Sequence, residues 1–169
     1  MEAWLRGPVD GVAPLLQPVA HMLLHAKEDA SQALEGLTAA EIWARPGGGA
    51  SVGFHVRHLI GALDRIFTYA RGEALSAGQM AVLASEAEPG TPPADAAVLL
   101  AELDAAVARA LDQVRSAGPG SLLEPRGVGR RQLPSTVLGL LVHGGEHSAR
   151  HAGQALTLAR VVQATGRVG

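Results

Sequence analysis

Cysteine is absent from this sequence, and its absence closes several chemical routes at once. Disulfides, thiolate metal sites, a cysteine nucleophile and a protein thiol redox role are all excluded. Any metal would have to be held by nitrogen and oxygen. Aromatic residues are almost as scarce, at 3% of the chain. A platform for stacking nucleic-acid bases is therefore not expected. Basic blocks are missing too, and the formal net charge is −2. That balance argues against a nucleic-acid groove and against an anionic membrane surface as partner. No apolar run approaches the ~18 residues that a membrane span requires. The opening MEAWLRGPVDG lacks the basic start and continuous apolar stretch of a signal peptide. A cytoplasmic location is the expectation.

What remains is a chain of ordinary globular composition. Hydrophobic residues make up 47% and charged residues 18% of 169 residues, which excludes a disordered chain and suits a single domain, 1–169. Four segments show apolar residues at helical period. The first is Val12–Leu37, with Pro14 and Pro18 making its start irregular. The second, Ser51–Tyr69, is capped by Ser51 and carries Val52, Val56, Leu59, Leu63 and Ile66 on one stripe. The third is Pro93–Ala117, which has no histidine and reads as scaffold. The fourth opens at Pro134-Ser135 and runs to about Gln163. Thr38-Ala-Ala-Glu41 is a capping-box pattern that starts one short helix, and Ser76–Ser85 has the spacing for another. Ser121–Leu133, with Arg126, Arg130 and Arg131 around two glycines, is expected to be a short hairpin or an irregular loop, solvated or, as the alternative, a lid contacting an anion. The fold class is therefore all-α, a four-helix bundle, and the long Arg71–Pro93 connection suits a crossover topology.

The fourth segment holds the most unusual feature. His143, His147 and His151 recur at four-residue spacing within Leu140–Gln154, on a stripe with Leu140, Gln154 and Leu158 that should face the interior. Buried imidazoles are costly unless something pairs with them. Two histidines at i and i+4 stand ~6 Å apart and can chelate one ion. Positions i and i+8 are separated by ~12 Å of helix rise, so all three cannot bind one ion. One pair would be used, with a third ligand from another helix. On the second segment His55 and His58 flank the apolar stripe, and periodicity slightly favours His55 for burial. His21 and His25 also form an i, i+4 pair, but they project away from their apolar stripe and read as a solvated face. His143-Gly-Gly-Glu146-His147 matches the inverted zinc-protease pattern, yet only 22 residues follow His147 and the two glycines weaken the helix it needs. The opposite stripe of small residues, Leu138, Val142, Gly145, Ala149, Ala152 and Leu156, suggests close packing by another helix, within the chain or across a homodimer.

Ser51-Val-Gly-Phe-His-Val-Arg-His58-Leu-Ile-Gly-Ala-Leu-Asp-Arg65, followed by Glu146-His147-Ser-Ala-Arg-His151-Ala-Gly-Gln154, resembles the DinB-like superfamily of metal-dependent helical proteins. Trp43-Ala-Arg-Pro46 resembles that family too, and the likeness spans nearly the whole chain. The resemblance implies an up-down-down-up bundle and three histidine ligands, which by position are His58, His147 and His151. His58 precedes an apolar pair, Leu59-Ile60, as the family's first histidine does, and so is preferred to His55. The implied cofactor is a divalent metal, zinc, nickel, iron or manganese, in a site of the catalytic type. Characterised relatives include transferases that use low-molecular-weight thiols such as bacillithiol, mycothiol or glutathione. The expected function is transfer of such a thiol to an electrophilic small molecule in stress or detoxification. The alternatives are a non-catalytic binding bundle, and an amide or ester hydrolase in which Glu146 would have to face the metal. Arg65, Tyr69, Gln154, His55 and His143 are possible pocket residues. No catalytic residue is assigned.

Overall fold

A computed structural model describes residues 1–166. The helices are α1 (Gln17–Leu34), α2 (Ala39–Ile42), α3 (Val52–Ala70), α4 (Ala77–Ser85), α5 (Ala96–Ser116) and α6 (Val137–Gly166). Strands β1 (Pro125–Val128) and β2 (Leu133–Thr136) form an antiparallel hairpin between α5 and α6. The protein is thus mostly helical, with one small two-stranded sheet among the described residues.

Local chemistry fixes most helix starts. The Ser51 hydroxyl accepts the Phe54 N–H at 3.0 Å, and the Asp95 carboxylate accepts that of Val98 at 3.0 Å. Thr38 and Ser76 each form a complete capping box with the third helical residue. Two expected boundaries move. The first helix begins at Gln17 because Pro14–Leu16 is a separate 3-10 turn, and it ends at Leu34, just before Gly36 turns at φ +70°. The last helix begins at Val137, because Pro134 and Ser135 pair with Gly127 and Arg126 in the hairpin. The polar, basic stretch is therefore a hairpin and not an irregular loop.

The four long helices, α1, α3, α5 and α6, enclose one continuous apolar core, and α1 and α3 each pack against both α5 and α6. Leu16, Leu23, Leu59, Leu99, Leu103 and Leu141 are fully removed from solvent. Each such side chain contributes roughly 1.5–3 kcal/mol by burial. Polar contacts set the alignment of the helices. The Gln113 amide donates to Phe67 O at 2.9 Å, and Lys27 pairs with Asp104 at 2.9 Å. Small residues let backbones approach: Gly145 of α6 lies against Met22 of α1, and Gly144 against the ring of Phe67 of α3. The small stripe anticipated on α6 thus packs, at Gly145, within the chain. Trp43 locks the start of α3 to the start of α5, because its indole N–H donates to Ala94 O at 2.8 Å. Its ring lies flat on Gly53, and the Arg57 guanidinium stands 4.7 Å from the ring centre.

Helix α4 differs from the rest, having no buried residue. It is tied to α3 by the Gln79 amide, which donates to Asp64 Oδ2 at 2.7 Å and Thr68 Oγ1 at 2.8 Å. No helix of the described residues is long and apolar enough to cross a membrane.

Candidate metal centre and the pocket beside it

Helices α3 and α6 bring four histidines into one row. His58, His147 and His151 each present one ring nitrogen such that the three lie within 4.8 Å of one another. His147 Nε2 stands 3.1 Å from His58 Nε2. His55 meets His151 on the far side, Nδ1 to Nδ1 at 3.1 Å. Rings at four-residue spacing follow one another along α6, with the centroids of His147 and His151 4.6 Å apart and their planes tilted by 48°.

The orientation of His58 has an identifiable cause. Its Nδ1 lies 2.7 Å from Oε2 of Glu86, the residue that follows α4. The other oxygen of Glu86 accepts from Arg65 Nη1 at 2.6 Å. Glu86 is almost fully buried, at 3% exposure. Burial alone would raise its pKa, but the bonds from His58 and Arg65, with the charge of Arg65, hold it below the ordinary value. An ionised carboxylate only accepts hydrogen bonds. His58 Nδ1 therefore donates, and its Nε2 faces the histidine cluster. Gly61, one turn along α3, leaves the room this requires.

The other rings are held neutral. Burial and then the nearby His58 ring push His147 down to about 4. The same two causes, in the same order, with help from His147 and His55, push His151 down to about 4. Burial and His58 lower His55 as well. Three imidazoles whose ring nitrogens converge are a donor set that could hold a divalent ion. Two imidazole nitrogens bound to one tetrahedral ion at ~2.0–2.1 Å lie ~3.3 Å apart, close to the spacing of His58 and His147 here. The residues present therefore fit a metal.

A cavity of about 790 Å3 opens directly off His58 and His147. Ala62, Ile66 and Tyr69 of α3 form one wall, and Leu75, Met80 and Leu83 of the α4 segment form the facing one. The hairpin closes a third side through Gly127, Gly129 and Arg130. Of the three arginines of this stretch, Arg126 is fixed to the fold, donating to Ala70 O at 2.9 Å and pairing with Glu124 at 3.0 Å. Arg130 reaches the pocket and has no carboxylate within 4.0 Å among the described residues. Glu73 at the rim is already paired with Arg71.

The anticipated pocket residues separate accordingly. Arg65 and Tyr69 line the cavity, although Arg65 spends one nitrogen on Glu86. Gln154 is exposed and borders a different, shallower groove, shared with His55, Arg150 and Leu158. His143 was expected to face the interior, and instead its side chain is 52% exposed and pairs with Glu146 at 3.4 Å. The ~40° drift per four residues carries it off the interface, and Gly144 takes the contact with Phe67 at that level. Glu146 is held outward by Arg150, which keeps its carboxyl below the usual range. It does not face the histidine cluster, so the zinc-protease pattern has no structural counterpart. His21 and His25 stay on the outer face of α1, against Gly7 O at 2.9 Å and Asp29 at 3.6 Å. Glu86 and Gly61 escaped the sequence reading. The only signal for Glu86 was an acid just past a short capped helix, in a connection rich in glycine and proline.

Fold and site together define a helical protein with a clustered three-histidine centre opening into an apolar pocket. Comparison with known families matches residues 22–155 to the DinB superfamily. The chain belongs to that superfamily. No curated protein matches it.

Proposed function

We propose that this protein is a divalent-metal-dependent enzyme whose ion is held by His58, His147 and His151, and that it transfers a low-molecular-weight thiol to an electrophile bound in the adjoining pocket. The observation that carries the reading is the convergence of three imidazoles, two of which, His58 and His147, line that pocket. A bound ion would supply Lewis acidity, which favours the thiolate form of a thiol and polarises an electrophile. The protein's own residues supply the rest. His58 is oriented by Glu86 and His151 by His55, and apolar side chains line the space beside them. The supply of bases favours thiol transfer over hydrolysis. Glu86 is committed to His58 and Arg65, Glu73 to Arg71, and Glu146 lies outside. A nucleophile that carries its own acidic proton suits a site whose carboxylates are all engaged.

The four long helices are read as an up-down-down-up bundle. The late residues Phe67 and Gln113 meet between α3 and α5, whereas between α3 and α6 His55 meets His151 and the later His58 meets the earlier His147.

The first test is metal content. Protein prepared with zinc, nickel, iron or manganese should carry one ion per chain by mass spectrometry. His143→Ala should retain it, and His58→Ala, His147→Ala and His151→Ala should each lose it. Equal metal in all five proteins would remove the site. Metal-loaded protein that consumes no thiol with chromogenic electrophiles, across thiols of the cysteine and glutathione type, would remove the transferase half and leave a metal-binding bundle.

A further inference from the structure

We propose that Glu86 is a positioning residue that couples the metal site to the wall of the pocket: one carboxylate both orients His58 for the ion and anchors the α4 segment over the cavity. The inference rests on the metal reading above.

The position of Glu86 is not explained by α4 itself. A carboxylate at a helix C-terminus opposes the helix dipole. Glu86 sits at that end of α4 and yet is almost fully buried. Its two oxygens are divided between partners on α3, 2.7 Å to His58 and 2.6 Å to Arg65. The space it occupies is kept open by a glycine, since a Cβ on residue 61 would lie 2.2 Å from Glu86 Oε1. Arg65 neutralises the carboxylate and limits its rotation, so the remaining oxygen has one place to go. These contacts specify one geometry, and the group it controls is the ring whose Nε2 faces His147.

The same contact has a mechanical consequence. Helix α4 buries no residue of its own, and Met80 and Leu83 stay 46% and 39% exposed while lining the pocket. The segment is held at one end by Gln79 and at the other by Glu86. An ion on His58 Nε2 leaves Nδ1 as the protonated nitrogen, the form that donates to Glu86. The ion and Glu86 would thus hold opposite nitrogens of one ring, each fixing its orientation for the other. Metal binding should therefore strengthen the anchor, and the anchor should strengthen metal binding by the same factor. A pocket wall that becomes ordered when the ion is loaded would keep the substrate cavity from forming around an empty site.

The test uses zinc alone, with no substrate. Calorimetric zinc titration of wild type, Glu86→Gln and Glu86→Ala is combined with hydrogen exchange of residues 73–88, with and without zinc. The expected result is a ~10–100-fold loss of zinc affinity in both variants. In wild type, zinc should slow exchange in that segment, and in Glu86→Gln this protection should disappear while exchange elsewhere is unchanged. Glu86→Gln keeps the shape, but its amide can serve only one of the two partners as the carboxylate does. Cobalt(II) spectra of the loaded proteins add a readout that packing alone would not move: Glu86→Gln should shift the visible bands. Wild-type affinity and an unchanged cobalt spectrum in Glu86→Gln, with His147→Ala unable to bind, would overturn the Glu86 role and leave the metal site standing. Zinc that binds wild type without slowing exchange in 73–88 would overturn the coupling, whatever the variants do. Absence of zinc binding in wild type would overturn the metal reading and this one with it.

Discussion

Replacing Gly61 by alanine should destabilise the protein, although alanine is the better helix former. In a helix interior the substitution is worth about 1 kcal/mol in favour of alanine on propensity alone. At position 61 the new methyl would lie 2.2 Å from Glu86 Oε1 and 2.7 Å from Arg65 Nη1. Real contacts of that type need more than 3 Å, so the carboxylate must withdraw by about 1 Å. Neither of its bonds, at 2.7 and 2.6 Å, can lengthen that far and survive. Loss of one charged hydrogen bond in a buried setting costs ~1.5–3 kcal/mol, and overpacking adds ~1–3 kcal/mol. Set against the propensity gain, the net loss should be about 2–4 kcal/mol. Gly153→Ala is the matched control. It lies inside α6 with nothing within 4 Å of the added methyl, so it should gain up to about 1 kcal/mol. Urea unfolding followed by circular dichroism would measure both. A Gly61→Ala protein as stable as Gly153→Ala would show that Glu86 moves aside freely, and the close-fit account of the carboxylate would be wrong.

Two further outcomes follow from other contacts. In the metal-free protein, His147 and His151 titrate near 4 against an ordinary 6.5. The unfolded chain therefore takes up protons first as pH falls, so stability should be complete above pH 7 and decline between 6.5 and about 4. Each ring could cost up to ~1.4 kcal/mol per pH unit, and coupling and partial exposure reduce the sum to roughly 2 kcal/mol between pH 7 and pH 5. Urea midpoints at the two pH values would check this, and equal stability would refute it. Gly53→Ala would place a methyl 2.8 Å from the Trp43 ring, displacing the indole from Ala94 O. A loss of about 1–3 kcal/mol and a red shift in tryptophan emission are expected, and an unshifted spectrum would mean that the ring has room to slide.

The helix starts were legible because capping is local. Ser51, Thr38 and Ser76 hold their own backbones within three residues, and the spacing shows in the sequence. The hairpin was less legible, because Arg126 meets Ser135 only when the chain reverses, with Gln132 at φ 48° and Gly129 at φ 67° in the turn. Periodicity placed His147 and His151 on the interior-facing stripe of their helix and misplaced His143. A column at four-residue spacing drifts, and the neighbouring helix covers only part of it. That part is decided by Gly144 against Phe67, a tertiary contact.

The choice between His55 and His58 shows where such reading stops. Both rings lie near the interface, and both touch His151: the centroid of His55 is 5.3 Å away and that of His58 is 4.5 Å. Both are half-buried, so the preference of periodicity for His55 does not separate them. What separates the two is the direction of the lone pair. His55 has Nδ1 on His151 and borders the shallow groove, so it serves as a partner to a member of the cluster. His58 is turned by Glu86, 28 residues further along and beyond a short helix. No pattern within α3 contains that information. A buried acid answering a buried ring is a long-range pairing, and its one local trace is the missing side chain at Gly61.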